Sequence, residues 1–249
     1  MSGHSKWSTI KRQKGVTDAR RGAAFTKAAN AITIAAREGG GNPEMNFKLR
    51  LTIDAARAIN MPKDNIDRAV ARGTGASKDG ASLEQVTYEG YGPAGVAIMV
   101  EAVTDNRSRT AQEVRSAFER SGGRLSGPGS VAHSFRPVGQ IVVKSPDADT
   151  VLTAAAEAGA EDIESDTEET IVYCEPNKLE SVKQALEGGG LEVINSELSK
   201  KPTTNVNIAD EGQANSILSL VSKLEDLDDV QKVYANFDID THVMEKVAS

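Results

Sequence analysis

Apolar residues recur at steps of three and four along the first third of the chain, the spacing that places them on one face of a helix. Phe25 and Ile32 lie on such a face, and three glycines at 39–41 end that stretch. Asn42 and Pro43, a capping residue followed by a proline suited to the first helical position, begin a second stretch. The pattern predicts a three-helix bundle over residues 19–75, with helices over about 18–38, 43–59 and 62–72.

Beyond a polar linker at 75–82 the apolar period changes to two, which is typical of strands. The predicted strands cover 83–91, 96–103, 131–136, 140–144, 161–166, 169–174, 191–198, 204–208 and 230–238. The predicted helices between them cover 107–120, 147–158, 176–187 and 210–225. From residue 140 the order is β-α-β-β-α-β, that of a ferredoxin-like unit. The elements after Pro202 are too few to form a domain alone, so we expect them to return to the earlier sheet.

The fold class that follows is α+β with three domains: a small N-terminal helical bundle and two α/β-sandwich domains, one of them ferredoxin-like and inserted in the other. The predicted divisions are a basic N-terminal arm at 1–18, a basic three-helix domain at 19–75, a middle α/β domain from 80–139 and 202–249, and an acidic ferredoxin-like insert at 140–200.

Charge is divided unevenly along the 249 residues. The whole chain carries −7, but residues 1–78 hold 15 Lys and Arg against 6 Asp and Glu, a net of +9. Residues 79–249 hold 14 against 30, a net of −16. A basic module joined to an acidic body indicates nucleic-acid binding confined to one end.

Few other classes of protein fit the composition. A single cysteine, Cys174, excludes a disulfide framework and a cysteine-based zinc site. No apolar run is long enough to span a membrane, and the N-terminus does not read as a secretory signal, so we expect a cytoplasmic protein. His4, His133 and His242 have no metal-ligand spacing. We expect no catalytic site, no metal and no cofactor.

The basic arm is the first candidate binding feature. Trp7 stands among four cations, and it could stack on a base while they hold phosphates. Alternatively, Trp7 packs the arm against the protein's own surface, and the sequence favours neither. The cations of the arm are Lys6, Lys11, Arg12 and Lys14.

A set of cations on the predicted helical bundle is the second candidate. Such a set is often only a solvated face, but its excess over acids favours polyanion binding. It consists of Arg20, Arg21, Lys27, Lys48, Arg50, Arg57, Lys63, Arg68 and Arg72.

The third candidate is the start of the helix at 107–120, where Arg107 and Arg109 oppose the helix dipole. An anion held there would remove the conflict, although pairing with acids such as Glu101 or Glu113 is the alternative.

The glycine-rich stretch 122–129 lacks the Gly-Lys-Ser/Thr of a phosphate loop, so we read it as a connection that needs left-handed backbone. An anion site around Arg124 is the less favoured alternative.

Six longer motifs stand out along the chain. They are Gly3-His4-Ser5-Lys6-Trp7, Phe25-Thr26-Lys27, Asn60-Met61-Pro62-Lys63-Asp64-Asn65-Ile66, Tyr88-Glu89-Gly90-Tyr91-Gly92-Pro93, Thr104-Asp105-Asn106-Arg107 and Gly129-Ser130-Val131-Ala132. By these motifs the chain closely resembles the YebC/PmpR family of bacterial proteins, which includes the mitochondrial translational activator of cytochrome c oxidase subunit I. One departure is His133-Ser134, where the family usually carries a bulky aromatic or apolar pair.

The resemblance implies three domains and a non-enzymatic role in gene expression. Family members are described as DNA-binding transcriptional regulators or as translation factors that act on the ribosome, including at proline-rich stalls. The residues leave both open, with DNA or ribosomal RNA as partner and a monomer or weak oligomer as the expected state. A protein-interaction adaptor that uses the acidic ferredoxin-like domain is the alternative.

Overall fold

The N-terminal part of the protein is helical. The computed structural model describes residues 18–76, 83–144, 148–165 and 169–248. Its first elements are the helices α1 (Asp18–Gly39), α2 (Phe47–Ala58) and α3 (Lys63–Gly73). Together these make up the helical domain, in which α1 packs against both α2 and α3 around a core that includes Ile32, Leu49 and Ile66.

Helix α2 begins later than the sequence predicted. Residues 43–45 form a turn, and the cap is Asn46, whose Oδ1 accepts from the Leu49 N–H at 3.0 Å. Its Nδ2 also donates to the Ala35 carbonyl at 2.8 Å. Asn46 therefore starts α2 and ties it to the end of α1, whereas Asn42 only accepts from a backbone N–H within its own turn.

The first sheet has four antiparallel strands in the order β3-β1-β2-β9. They are β1 (Glu84–Tyr91), β2 (Ala97–Thr104), β3 (Arg124–Ser126) and β9 (Val230–Ala235). Helices α4 (Arg107–Arg120) and α7 (Glu211–Glu225) share one apolar core with β2 and β9. We call this unit the middle domain. Its remaining elements are the parallel strands β8 (Val206–Ile208) and β10 (Phe237–Ile239) and the helix α8 (Thr241–Ala248).

The second sheet has the order β5-β6-β4-β7 with antiparallel neighbours, which is the ferredoxin-like topology. Its elements are β4 (Phe135–Lys144), α5 (Ala148–Glu157), β5 (Asp162–Ser165), β6 (Glu169–Cys174), α6 (Leu179–Gly188) and β7 (Glu192–Pro202). This ferredoxin-like domain lies in the chain between β3 and β9 of the first sheet, so the predicted insertion of one sheet domain in the other is confirmed.

Two local strand predictions are wrong. Residues 131–136 and 140–144 are not two separate strands, because Phe135–Lys144 is the single strand β4 and Ala132–Ser134 is a turn of 3₁₀ helix. Pro137, which has no N–H to donate, is tolerated within β4 because the pairing of β4 with β6 begins only at Gly139. The strand near 204–208 does not join the first sheet either, since β8 pairs with β10.

The domains are joined by side chains as well as by the chain itself. Phe47 and Leu51 of α2 pack into the core of the ferredoxin-like domain. Lys200 of β7 reaches Glu101 of β2 with Nζ 2.6 Å from Oε1, and Lys232 of β9 reaches Glu197 of β7 at 2.7 Å. Among the helices of the described ranges, none could cross a bilayer.

Candidate nucleic-acid interface

The arm cations and Trp7 lie outside the described residues, so their roles stay predictions. These residues are Lys6, Trp7, Lys11, Arg12 and Lys14. Arg20 and Arg21 are placed in the first turn of α1.

The side chain of Lys27 makes a contact within the protein rather than with an external partner. Its Nζ donates to the backbone carbonyl of Glu225, at the last residue of α7. A cation at that position meets the negative end of the helix dipole. Lys27 therefore connects the helical domain to the middle domain, and its charge is already used within the protein.

Arg50 is also held internally. Its guanidinium lies 5.4 Å from the centre of the Phe47 ring, and its Nη2 is 3.9 Å from Oε2 of Glu180 on α6. The side chain is half-buried between the helical and ferredoxin-like domains. Arg50 is thus a domain contact, a role that only the tertiary structure reveals.

Other cations of the helical domain stay exposed around the end of α2 and along α3. Arg57 is 70% exposed and 3.3 Å from Asp54 on its own helix, a weak pair. Arg68 bonds to Asn65 and to the Asp64 carbonyl. Lys63 and Arg72 are exposed, and no described side chain pairs with either. Lys48 pairs with Glu38 at 2.7 Å.

Arg109 is neutralised by two acids. Its Nη2 lies 2.8 Å from Asp229 and 3.0 Å from Asp105. These are not the acids expected, because Glu101 instead pairs with Lys200. An external anion would have to displace both, so the structure favours an internal role for Arg109.

Asp229 is the centre of this cluster. Besides Arg109, its Oδ2 accepts from the hydroxyls of Thr110 at 2.6 Å and Thr104 at 3.0 Å. Burial acts to raise the pKa of Asp229, but these three donors outweigh it and hold the pKa below its ordinary value. Asp229 thereby fixes the start of α4 to the strand β2.

Arg107 differs from Arg109. Its side chain is 68% exposed, and its closest acid is Glu84 at 3.8 Å. A pair at that distance and exposure contributes little, so Arg107 is open to a solvent-borne anion.

The glycine-rich connection contains an anion site that the protein fills itself. Glu89, which is only 6% exposed, accepts from the backbone N–H groups of Gly129 at 2.8 Å, Val131 at 2.7 Å and Ala132 at 2.9 Å. Burial acts to raise the pKa of Glu89, yet these three N–H groups leave it lowered. The less favoured anion site near Arg124 is therefore not supported: its guanidinium lies over the Tyr91 ring at 5.7 Å, and the neighbouring N–H groups are taken.

The role of Glu89 was not predicted from the sequence. The strand pattern contains little signal for it, because Glu89 shares its face of β1 with the exposed Gln85 and Thr87, whereas the apolar Val86 and Tyr88 lie on the other face. A buried carboxylate needs donors that satisfy it, and these come from residues 129–132, which are distant in the sequence.

Part of the acidic stretch of the ferredoxin-like domain is paired internally. Lys201 Nζ lies 2.7 Å from Asp162 and 2.9 Å from Glu164, and Arg136 lies 2.8 Å from Glu161. This stretch is therefore less negative at its surface than its residue count indicates.

Comparisons with known proteins cover nearly the whole chain. The family model described as "TACO1/YebC protein N-terminal domain" matches residues 5–76, and that described as "TACO1/YebC second and third domain" matches 83–237. A "probable transcriptional regulatory protein" of Syntrophus aciditrophicus is 49% identical over the full length of both chains, and one of Rubrobacter xylanophilus is 50% identical over the same extent. The crystal structure of a conserved hypothetical protein from Aquifex aeolicus is similar with a TM-score of 0.84 and 44% identity, covering 90% of this chain and 92% of that one. Helical N-terminus, two sheet domains and full-length similarity agree, and the chain belongs to the TACO1/YebC family.

Proposed function

We propose that the protein is a non-enzymatic, nucleic-acid-binding regulator of gene expression that contacts DNA or ribosomal RNA through its arm and helical domain. The division of charge carries this proposal: +9 over residues 1–78 against −16 over 79–249. The acidic part repels polyanions and so directs them to the basic end. The printed names of the relatives, probable transcriptional regulatory proteins, agree with a role in gene expression. Such a regulator works in the cytoplasm, where both DNA and ribosomal RNA are found.

Contacts within the protein reduce the number of cationic side chains that are available to bind phosphate. Lys27, Arg50 and Arg109 are engaged within the protein. The exposed cations of the helical domain therefore make the contacts, together with the arm. They are Arg57, Lys63, Arg68 and Arg72, and Arg107 is the corresponding cation on the middle domain.

A charge-reversal experiment on the full chain tests this assignment. The double variant Lys63→Glu/Arg72→Glu is compared with Lys144→Glu/Lys183→Glu, which makes the same change of net charge on the ferredoxin-like domain. Anisotropy of a labelled duplex is titrated at several salt concentrations. We expect the first variant to bind weakly and to reduce the slope of log K against log salt by about 1.8, since each duplex phosphate contact contributes about 0.9. Equal losses in both variants would show that only net charge matters and would refute the assignment.

The choice between DNA and the ribosome requires a separate measurement. A sucrose gradient of cell lysate is run with and without ribonuclease, and the protein is followed by immunoblot. If the protein migrates with ribosomal subunits and ribonuclease treatment abolishes this co-migration, the result supports a translation factor. Absence from all ribosomal fractions, combined with duplex binding, supports a transcriptional regulator.

A protein-interaction adaptor is the second candidate, supported by two large apolar side chains exposed on the ferredoxin-like domain, Leu152 at 49% and Ile194 at 39%. The two functions separate on nuclease treatment of a lysate before affinity purification. An adaptor keeps its protein partner after digestion, whereas partners held through nucleic acid are lost.

A further inference from the structure

A cleft of about 500 Å³ opens between α2 and α3 on the surface of the helical domain. Its floor is apolar and consists of Ile53, Met61 and Ile66, which also belong to the core of the domain. The half-buried Ala71 forms part of its wall. A cavity of this size lies within the roughly 300–1,000 Å³ of small-molecule sites.

The chain between the two helices builds this cleft with a special turn. Asn60 has left-handed backbone, with φ of 61°, a conformation that asparagine tolerates better than most residues. Its N–H donates to the Arg57 carbonyl at 2.9 Å, and the Met61 N–H donates to the Ala56 carbonyl at 3.0 Å. The turn thus places Met61 in the floor and, two residues later, Lys63 at the rim.

Two of the three charged residues that line the cleft are cations. Arg57 and Lys63 both line the cleft, and Lys63 has no charged partner within the described part of the chain. They belong to the segment of the protein that carries +9. Apolar floor and cationic rim together fit an occupant with a flat apolar body and a negative charge beside it, which is the chemistry of a nucleotide.

We propose that this cleft takes one unstacked nucleobase of a single-stranded segment, with Lys63 donating to the adjacent phosphate. Asp67, also on the rim, accepts from an exocyclic amino group of that base. The inference rests on the proposed function and deepens it, because it assigns the helical domain to nucleic acid with unpaired bases. In a fully paired duplex the bases are stacked and cannot enter.

The test uses the full chain and two probes of one sequence, a single-stranded oligoribonucleotide and its blunt duplex. Ala71→Phe fills the cleft without a change of charge, and Ala58→Phe is the control, since Ala58 is exposed on α2 and does not line the cleft. We expect Ala71→Phe to weaken single-strand binding about ten-fold, because the excluded base loses its apolar contact with the floor, and to leave duplex binding within two-fold. Ala58→Phe leaves both unchanged. Lys63→Ala weakens both probes, because its phosphate contact does not depend on pairing.

A second measurement does not depend on how the variants fold. A single-stranded probe carries 2-aminopurine, whose emission rises when it leaves its stacked neighbours. We expect emission to rise on binding to the unsubstituted protein, and emission at the level of the free probe would overturn the proposal. Unchanged single-strand affinity of Ala71→Phe would also overturn it and would assign the cleft to another occupant, such as an acidic peptide. Absence of binding to both probes at low salt would refute the proposed function itself.

Discussion

Replacement of Glu89 by glutamine tests how the glycine-rich connection is held. The carboxylate accepts from three backbone N–H groups through two oxygens, Oε1 from Gly129 and Oε2 from Val131 and Ala132. Glutamine has nearly the same shape but only one acceptor oxygen, and its amide N–H₂ faces donors. Whichever way the amide turns, at least one N–H loses its acceptor.

The magnitude follows from those bonds. Hydrogen bonds to a charged acceptor contribute about 1.5–3 kcal/mol each, and a buried N–H left without a partner costs about 1–3 kcal/mol. We expect a loss of about 2–3 kcal/mol in the free energy of unfolding of the middle domain. At roughly 4–8 °C per kcal/mol for a domain of about 100 residues, that lowers its melting temperature by about 8–24 °C.

The assay combines calorimetry with hydrogen exchange. Amide exchange at Gly129, Val131 and Ala132 should accelerate more than at neighbouring strands, because the lost bonds are local. Glu84→Gln is the matched control on the same strand, since that acid is exposed and 3.8 Å from its partner. Unchanged exchange at the three amides in Glu89→Gln would refute the role given to the carboxylate.

Two further outcomes follow from the contacts described, and one follows from the sequence of the arm. The pKa of Glu89 is lowered in the folded protein, so its carboxylate contributes fully to stability above its pKa in the unfolded chain, about 4.3. That contribution is lost as the pH falls through the pKa of the folded protein. Below about pH 4.3 the unsubstituted protein should therefore lose stability more steeply than Glu89→Gln, as measured by urea titrations at several pH values. Trp7→Ala should weaken nucleic-acid binding without changing the melting temperature if the indole stacks on a base, whereas a lower melting temperature with unchanged binding would show that it packs on the protein. Removal of residues 137–200, with a two-residue Asn-Gly turn in their place, should leave a middle domain that unfolds cooperatively. The reason is that Phe135 and Pro202 are direct partners across β4 and β7, so a tight turn can join the two ends. A broad, non-cooperative melt would contradict the division between the middle and ferredoxin-like domains.

The elements that the sequence predicted best depend on local patterns. The ferredoxin-like order is visible because each of its strands alternates or runs apolar and each helix keeps its own period. The start of α2 was misplaced because two asparagines precede it, and only the fold shows that Asn46 can also reach the Ala35 carbonyl. Strand β4 was divided at Pro137 and Gly139. The open edge beside Pro137 tolerates the proline, whereas Gly139 is paired with Cys174 of β6 where a side chain would not fit.

The candidate interface was harder to predict for a different reason. Lys27 and Arg50 resemble their exposed neighbours in the sequence, and nothing local shows that Glu225 and Glu180, more than a hundred residues away, lie beside them. Cations on the surface of an isolated helix become domain contacts only when the domains pack. The sign of the charge on each part of the chain was therefore predictable, whereas the availability of each cation was not.

Strand β4 belongs to two cores at once. Phe135, at its beginning, packs with Met99 and Tyr234 on the face of the first sheet, while Ile141 and Val143 lie in the core of the ferredoxin-like domain. A rotation of one sheet relative to the other would have to bend this strand and separate Lys200 from Glu101. A nucleic acid bound at the basic end would thus fix the orientation of the acidic ferredoxin-like domain relative to itself. A second partner that binds this domain would then lie at a constant angle and distance from the nucleic acid.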